Sequence, residues 1–180
     1  EDILIGTPVT LRRHPDLHPV AGMLLNTLVL RHYPSGLKIV RDFLAEVRRR
    51  TTEAFENRDY PFEDLVDILD VPRNTARNPL FDVMLNLLNQ SDYTGQIPAI
   101  PQSGDHLFDF HSVPSRFDIT FSAVDMGEIL YFSLEYSTVL FSTRTMERLI
   151  DYLKRIIRQL PHALEEPIVR IDVLSHTERE

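Results

Sequence analysis

The chain has 180 residues, 43% of them hydrophobic, enough for one domain with a real core, since a chain of this length buries roughly 70% of its unfolded surface. Its 19 Lys and Arg against 27 Asp and Glu give a formal net charge of −8, which argues against partners held through nucleic-acid phosphates or an anionic membrane. The absence of Cys excludes a disulfide framework, a thiolate nucleophile and a Cys-ligated metal, and no run reaches the ~20 apolar residues of a membrane span.

The chain opens on Glu1-Asp2, with neither Met nor a basic stretch leading into an apolar one, and closes on the charged string from His176 to Glu180. A piece of a longer cytoplasmic polypeptide is the expectation. Ile3-Leu-Ile-Gly-Thr-Pro-Val9 reads as a strand end stopped by Gly6 and Pro8, and Leu11 to Pro19 as an exposed loop. Val20 to Arg31 is nearly all apolar, which predicts a strand covered on both faces, interrupted by the polar pair Asn26-Thr27.

Ile39, Phe43, Val47, Ala54 and Phe55 recur at helical steps and predict an amphipathic helix from about Leu37 to Glu56, with Arg48 to Arg50 on its solvated face. A second helix follows, with Pro61 in its first turn, Asp59 as its cap and Pro72 at its close. Leu80 to Leu88 reads as a strand and Gln90 to Asp105 as an irregular excursion. Phe117 to Ala123 and Leu130 to Tyr136 alternate apolar and polar residues around Asp125-Met-Gly-Glu128, a hairpin. Met146 to Leu160 forms a long helix capped by Ser142 or Thr143 and halted at Pro161, and Ile168 to Leu174 is a strand or an extended linker. The sum is two or three helices over a mixed sheet, a two-layer α/β sandwich.

Chemistry is hard to find in this pattern. Seven His are scattered. His14 and His18 have metal-ligand spacing on a helix, but Pro15 and Pro19 break one there. On a strand, Asp109 and His111 share a face with His106 nearby, donor types that suit a metal; beside a loop such a cluster is ordinarily a solvated turn, and no metal site is assigned. His32, His162 and His176 sit at element ends and read as surface residues. There is no Gly-rich phosphate loop and no Gly-x-Ser-x-Gly elbow.

Three segments in order carry more information: Ala21-Gly-Met-Leu-Leu-Asn-Thr-Leu-Val-Leu-Arg31, Asn57-Arg-Asp-Tyr-Pro-Phe-Glu63 and Arg73-Asn-Thr-Ala-Arg-Asn-Pro-Leu80. With Asp2-Ile-Leu-Ile-Gly-Thr-Pro8, Phe81-Asp-Val-Met84, Arg116-Phe-Asp-Ile-Thr120 and Leu134-Glu-Tyr-Ser-Thr-Val-Leu-Phe141, they resemble the later core motifs of nonribosomal peptide synthetase condensation domains, over almost the whole chain. The resemblance implies a chloramphenicol-acetyltransferase-like lobe, the C-terminal of two, over residues 1–174. Residues 175–180 then begin the linker towards a following adenylation domain.

A complete member joins a peptidyl or aminoacyl thioester to the amine of a downstream aminoacyl group, both carried on phosphopantetheine arms that enter a tunnel between the lobes. The family's catalytic His pair, followed by three variable residues and Asp-Gly, belongs to the earlier part of the domain, and no two His are adjacent here. Whether the chain is itself an enzyme therefore stays open: no catalytic residue and no directly bound cofactor is assigned, and the lobe alone is expected to be inactive. The partners implied are the N-terminal lobe, peptidyl carrier proteins and the adenylation domain, with self-association of the isolated lobe.

Met23, Asn26 and Thr27 are the tunnel candidates; the other reading of Asn26 and Thr27 is that they satisfy neighbouring backbone groups. Tyr60, Pro61 and Phe62 combine a helix start with a two-aromatic plug. Arg77, Asn78 and Pro79 force an extended entry into the next strand, leaving Arg77 to bind carbonyls or a carboxylate. Phe108 to Phe121 is the candidate crossover arm to the other lobe. An epimerization domain is disfavoured because Pro61-Phe-Glu-Asp64 stands where that subfamily has Pro-Phe-Asn-Tyr. A heterocyclization domain and a non-catalytic partner-recruiting module remain as alternatives.

Overall fold

The computed structural model describes residues 1–71, 77–89, 115–125, 127, 129–174 and 178. β-Branched residues drive the first strand, β1 (Ile3–Thr10), which pairs antiparallel with β2 (Leu25–His32), from Ile3 opposite His32 to Thr10 opposite Leu25. Gly6 and Pro8 do not end β1 as the sequence suggests. On one side β2 pairs with it throughout, and on the other it makes a single parallel ladder pair with β3 (Val83–Asn89), Gly6 with Met84, so a proline is tolerated there. β2 starts at Leu25 rather than Val20, because the preceding residues belong to a loop closed by the Leu11 N–H on the Leu24 carbonyl at 2.9 Å.

β3 runs parallel to β4 (Ile119–Asp125), which turns back antiparallel into β5 (Leu130–Tyr136). The predicted hairpin is present: Gly127, at φ 87°, donates its N–H to the Asp125 carboxylate at 2.8 Å inside the turn. The five strands lie in the order β2-β1-β3-β4-β5, a mixed sheet. Phe121 and Phe132 stack across the hairpin at 5.4 Å. The strand expected from Leu80 begins at Val83, since the Asn78 side chain holds the N–H groups of Leu80 and Phe81 in a turn.

Among the described residues, three α-helices accompany the sheet: α1 (Val40–Glu56), α2 (Phe62–Ile68) and α3 (Thr143–Gln159). Ser142 caps α3 as expected, accepting from the Thr145 N–H. α1 has no side-chain cap; the N–H groups of Val40 and Arg41 instead donate to the carbonyls of Glu166 and Leu164, both at 2.9 Å. The C-terminal segment thus supplies acceptors to a helix start that its own sequence leaves open. Asp59 is not the cap of α2, which starts after Pro61 without a side-chain cap; Asp59 pairs with Arg13 at 2.9 Å instead.

Beyond the 3-10 turn Ile168–Arg170, the chain runs along α3 rather than forming a strand. The Gln159 amide exchanges hydrogen bonds with the Asp172 backbone, donating at 2.6 Å and accepting at 3.0 Å, and Arg155 donates to the Leu174 carbonyl at 2.9 Å. The core comprises Val9, Leu28, Leu30, Val40, Val66, Phe81, Met84, Ala123 and Met146. Among the described residues no helix is long and apolar enough to cross a membrane. Pro72, Gln90 to Asp105, the cluster His106, Asp109 and His111, and residues 108–114 of the candidate crossover lie outside the described residues.

Candidate functional site

The first two motif segments meet at the connector between α1 and α2. Asn26, opposite Val9 on β2, is in step with Leu28, Leu30 and His32, all buried. Its Nδ2 donates to the carbonyls of Arg58 and Tyr60, each at 2.7 Å, and its Oδ1 accepts the N–H groups of Thr27 at 2.8 Å and Phe62 at 3.2 Å. Two donors and two acceptor positions are the full capacity of a side-chain amide, so backbone groups saturate Asn26. Thr27, half-buried, leaves the opposite face of the strand with Val29 and Arg31. The two polar neighbours therefore do not line one surface together. Met23, just before β2, is 87% exposed.

Of the two aromatics flanking Pro61, only Phe62 is inserted. Its ring meets Phe81 edge-on at 5.8 Å, and Phe81, 4% exposed, lies 5.5 Å from Phe117. Tyr60 stays about half exposed, its backbone carbonyl held by Asn26. Phe81 packs against β1 where a side chain is missing: a Cβ at Gly6 would sit 2.2 Å from the Phe81 ring. Gly6 thus opens a slot in β1 for an aromatic that joins α2 to the start of β4. In the sequence this glycine reads as a strand stop, and its pairing with Phe81 carries no local signal.

Arg77 holds a carboxylate of its own chain. Its Nε lies 3.0 Å from Asp82 Oδ1, and Nη2 bonds Oδ2, a bidentate fork whose hydrogen bonds raise the guanidinium pKa further. Asn78 turns the chain into β3, with the half-buried Pro79 beside it. At the loop end, Arg13 donates to the Glu56 carbonyl at 3.3 Å besides pairing with Asp59. Three side chains, Asn26, Phe62 and Arg13, therefore grip the same stretch of connector from different sides.

His32 is a correction to the sequence expectation. It is 8% exposed, not a surface residue, and its Nδ1 is buried without a hydrogen-bond partner among the described residues. Burial pushes its pKa below 6.5, with the Arg50 charge adding to the shift and Glu46 opposing it. Around it Glu46 takes Lys38 and Arg50, and the Lys38 hydrogen bond is the first cause of the lowered Glu46 pKa. Arg49 pairs with Glu53, so the basic run is partly spent on ion pairs within α1. Among the described residues no group of three His, Asp or Glu is placed to hold a metal ion. What the junction does is fix backbone: Asn26 orders the connector from Arg58 to Phe62, and Phe62 packs on Phe81.

A family model described as Condensation domain matches residues 1–180. The chain belongs to the condensation domain family. It is 40% identical over 179 residues to Bacitracin synthase 1 of Bacillus licheniformis, covering 99% of this chain and 3% of that protein. It is 38% identical over 183 residues to Tyrocidine synthase 3 of Brevibacillus parabrevis, covering all of this chain and 3% of that protein. The chain thus spans a small fraction of the length of these relatives. The fold is shared with a four-domain nonribosomal peptide synthetase bound to AMP and glycine, at a TM-score of 0.83 and 20% identity over 99% of this chain and 14% of that one. It is also shared with the X-domain from teicoplanin biosynthesis, at 0.77 and 22% over 96% of this chain and 40% of that one. The chloramphenicol-acetyltransferase-like α/β architecture expected from the motifs is the one observed. In this condensation-domain chain the segments around Asn26 and Phe62 converge on a packed junction with Phe81.

Proposed function

We propose that residues 1–174 are the C-terminal lobe of a condensation domain that joins carrier-tethered aminoacyl or peptidyl thioesters in peptide antibiotic synthesis, with residues 175–180 opening a linker towards an adenylation domain. The observation that carries this reading is the family match over residues 1–180 in a chain whose seven His include no adjacent pair. The lobe supplies tunnel wall and carrier docking, and the amine-positioning histidine comes from the other lobe. Phosphopantetheine arrives on the partner carrier proteins, and the polypeptide works in the cytoplasm.

Met23 faces the acyl-bearing arms. Asn26 holds the wall by anchoring the connector, and Thr27 serves the opposite face of β2. The exposed apolar residues Met23, Leu25, Leu37 and Val169 give the separated lobe a tendency to self-associate. A complementation experiment tests the reading: the upstream lobe, carrying His-His-x-x-x-Asp-Gly, is supplied with two loaded carriers, with and without this lobe fused to it. Dipeptidyl thioester is expected only from the fusion; bond formation by the upstream lobe alone contradicts the role given to this one.

A second reading is a partner-recruiting module without catalysis. It is favoured by one fold neighbour, the X-domain of teicoplanin biosynthesis, which forms a complex with OxyB. Tight binding of a protein partner by this lobe, in a parent that carries no upstream lobe, supports that reading instead.

A further inference from the structure

The loop from Leu11 to Leu24 is organised by one side chain, Arg12. Arg12 Nη1 donates to the carbonyls of Leu17 and of Val20, the latter at 2.7 Å, and Nη2 donates to the carbonyl of Gly22 at 2.8 Å. Its own N–H is held by Thr10 Oγ1 at 3.2 Å. The neck of the loop is closed by the Leu11 to Leu24 hydrogen bond, and a short 3-10 turn, Pro15–Leu17, occupies its far side. The loop's apolar side chains Leu17, Val20 and Met23 are all exposed and do little to hold it. Here the guanidinium takes that role, gathering three carbonyls that would otherwise point in unrelated directions. No carboxylate pairs with Arg12 among the described residues, so its charge is matched by carbonyl dipoles.

The last of these carbonyls matters most. Gly22 has φ 151°, a backbone conformation that L side chains rarely adopt, and nothing crowds it. A glycine there turns the chain freely, and a bond to its carbonyl removes that freedom. Met23 follows directly, almost wholly exposed, and β2 begins two residues later. The direction in which Met23 leaves the surface is therefore set by the Arg12–Gly22 contact rather than by packing of its own side chain.

We propose that Arg12 is a positioning residue of this lobe, acting through the Gly22 carbonyl to hold Met23 against the acyl group of an incoming carrier arm; this rests on the reading of Met23 given under Proposed function. Lys cannot replace Arg in this role. A single ammonium keeps the charge but not the planar fork that reaches carbonyls from three points of the loop.

The test is a double-mutant cycle in the full-length parent polypeptide, with Arg12→Lys, Met23→Ala and both together. The rate of dipeptidyl thioester formation and the hydrogen exchange of the amides of residues 17–24 are followed. The expected result is faster exchange in this loop for Arg12→Lys, and a rate loss of about 10-fold, within the range for misplacing a substrate contact. In the Met23→Ala background the Arg12→Lys change should lower the rate no further. Unchanged loop exchange overturns the staple. Losses that multiply in the double mutant, or an unaltered rate for Arg12→Lys, overturn its action through Met23. A wild-type parent that forms no peptide bond overturns the functional reading itself, and the exchange measurement still reports on the staple.

Discussion

The side-chain oxygen of Asn26 accepts the backbone N–H of Phe62 at 3.2 Å, tying strand β2 to the first residue of α2 across 36 positions of sequence. The same amide holds the carbonyls of Arg58 and Tyr60. Replacing Asn26 by Ala leaves these groups to find water in a half-buried place. The expected loss is about 1–3 kcal/mol, the range for stranding buried polar groups. Asn26→Asp should be worse than a neutral exchange, since a carboxylate turns an acceptor towards two carbonyls that need a donor. Thermal unfolding of both variants checks this. In the complete domain, activity should fall with stability; a loss of condensation with an unchanged melting temperature contradicts the anchoring role.

Gly6→Ala should disturb the aromatic junction between β1 and α2. Its methyl group would lie 2.2 Å from the ring of Phe81, and Phe81 touches both Phe62 and Phe117. Overpacking of this kind costs about 1–3 kcal/mol, or a melting temperature lower by several degrees for a chain of this size. Combining it with Phe81→Leu should give less than the sum of the two losses, because the smaller side chain frees the slot. Urea unfolding of the four proteins measures the coupling, and strict additivity would count against the contact.

His32 makes stability depend on pH in a definite direction. Its folded pKa lies below 6.5 because the imidazole is buried beside Arg50. The unfolded chain therefore takes up a proton that the folded chain refuses, and stability falls as pH drops from about 6.5 towards the folded pKa. Above 6.5 both states are neutral and the dependence vanishes. Glu46, paired with Lys38 and Arg50, carries the opposite sign of charge but the same trend at more acid pH, because its pKa is lowered. His32→Gln should flatten the stability profile between pH 7 and 5.5 (values near the reference His pKa of about 6.5). Equal slopes for the variant and the parent chain contradict this assignment.

Gln159→Ala should release the C-terminal segment without unfolding the sheet. It removes the paired hydrogen bonds to Asp172, leaving Arg155 on the Leu174 carbonyl and the α3 ion pair of Arg148 with Glu178. Amides of residues 171–174 should exchange markedly faster while those of β4 keep their protection, as expected for local opening. Slower or unaltered exchange in the segment would show that Gln159 does not hold it.

Much of the fold was legible because local pattern and tertiary demand agree. The alternation in Ile119 to Tyr136 gave the β4–β5 hairpin, and the apolar spacing from Met146 gave α3 with Ser142 at its cap. Where a distant partner decides, local signals misled. Val40 and Arg41 take their acceptors from Glu166 and Leu164 respectively, which no periodicity near residue 40 shows. Pro8 looks like a stop but sits in a strand whose far side is almost unpaired. His32 looks terminal on β2 but is buried, close enough to the α1 charges Arg50 and Glu46 to feel both. The candidate site divided in the same way. Asn26 was conspicuous as a polar break in an apolar run, but its partners are carbonyls and an N–H some thirty residues away, and backbone atoms leave no trace in residue identity. Arg12 was one of several charged residues in a Pro-rich loop, distinguished only by the geometry that gathers three carbonyls around it.

The central proposal is that this chain is one lobe of a condensation domain and shapes a reaction whose catalytic histidine lies in the other lobe. The most direct measurement offers the isolated 180-residue chain two carrier proteins, each loaded through phosphopantetheine, and reads the acyl state of both by intact mass, beside the complete domain as a control. The account predicts that the complete domain transfers the donor and that the isolated lobe leaves both carriers as they were loaded. Dipeptidyl thioester formed by the lobe alone would contradict it.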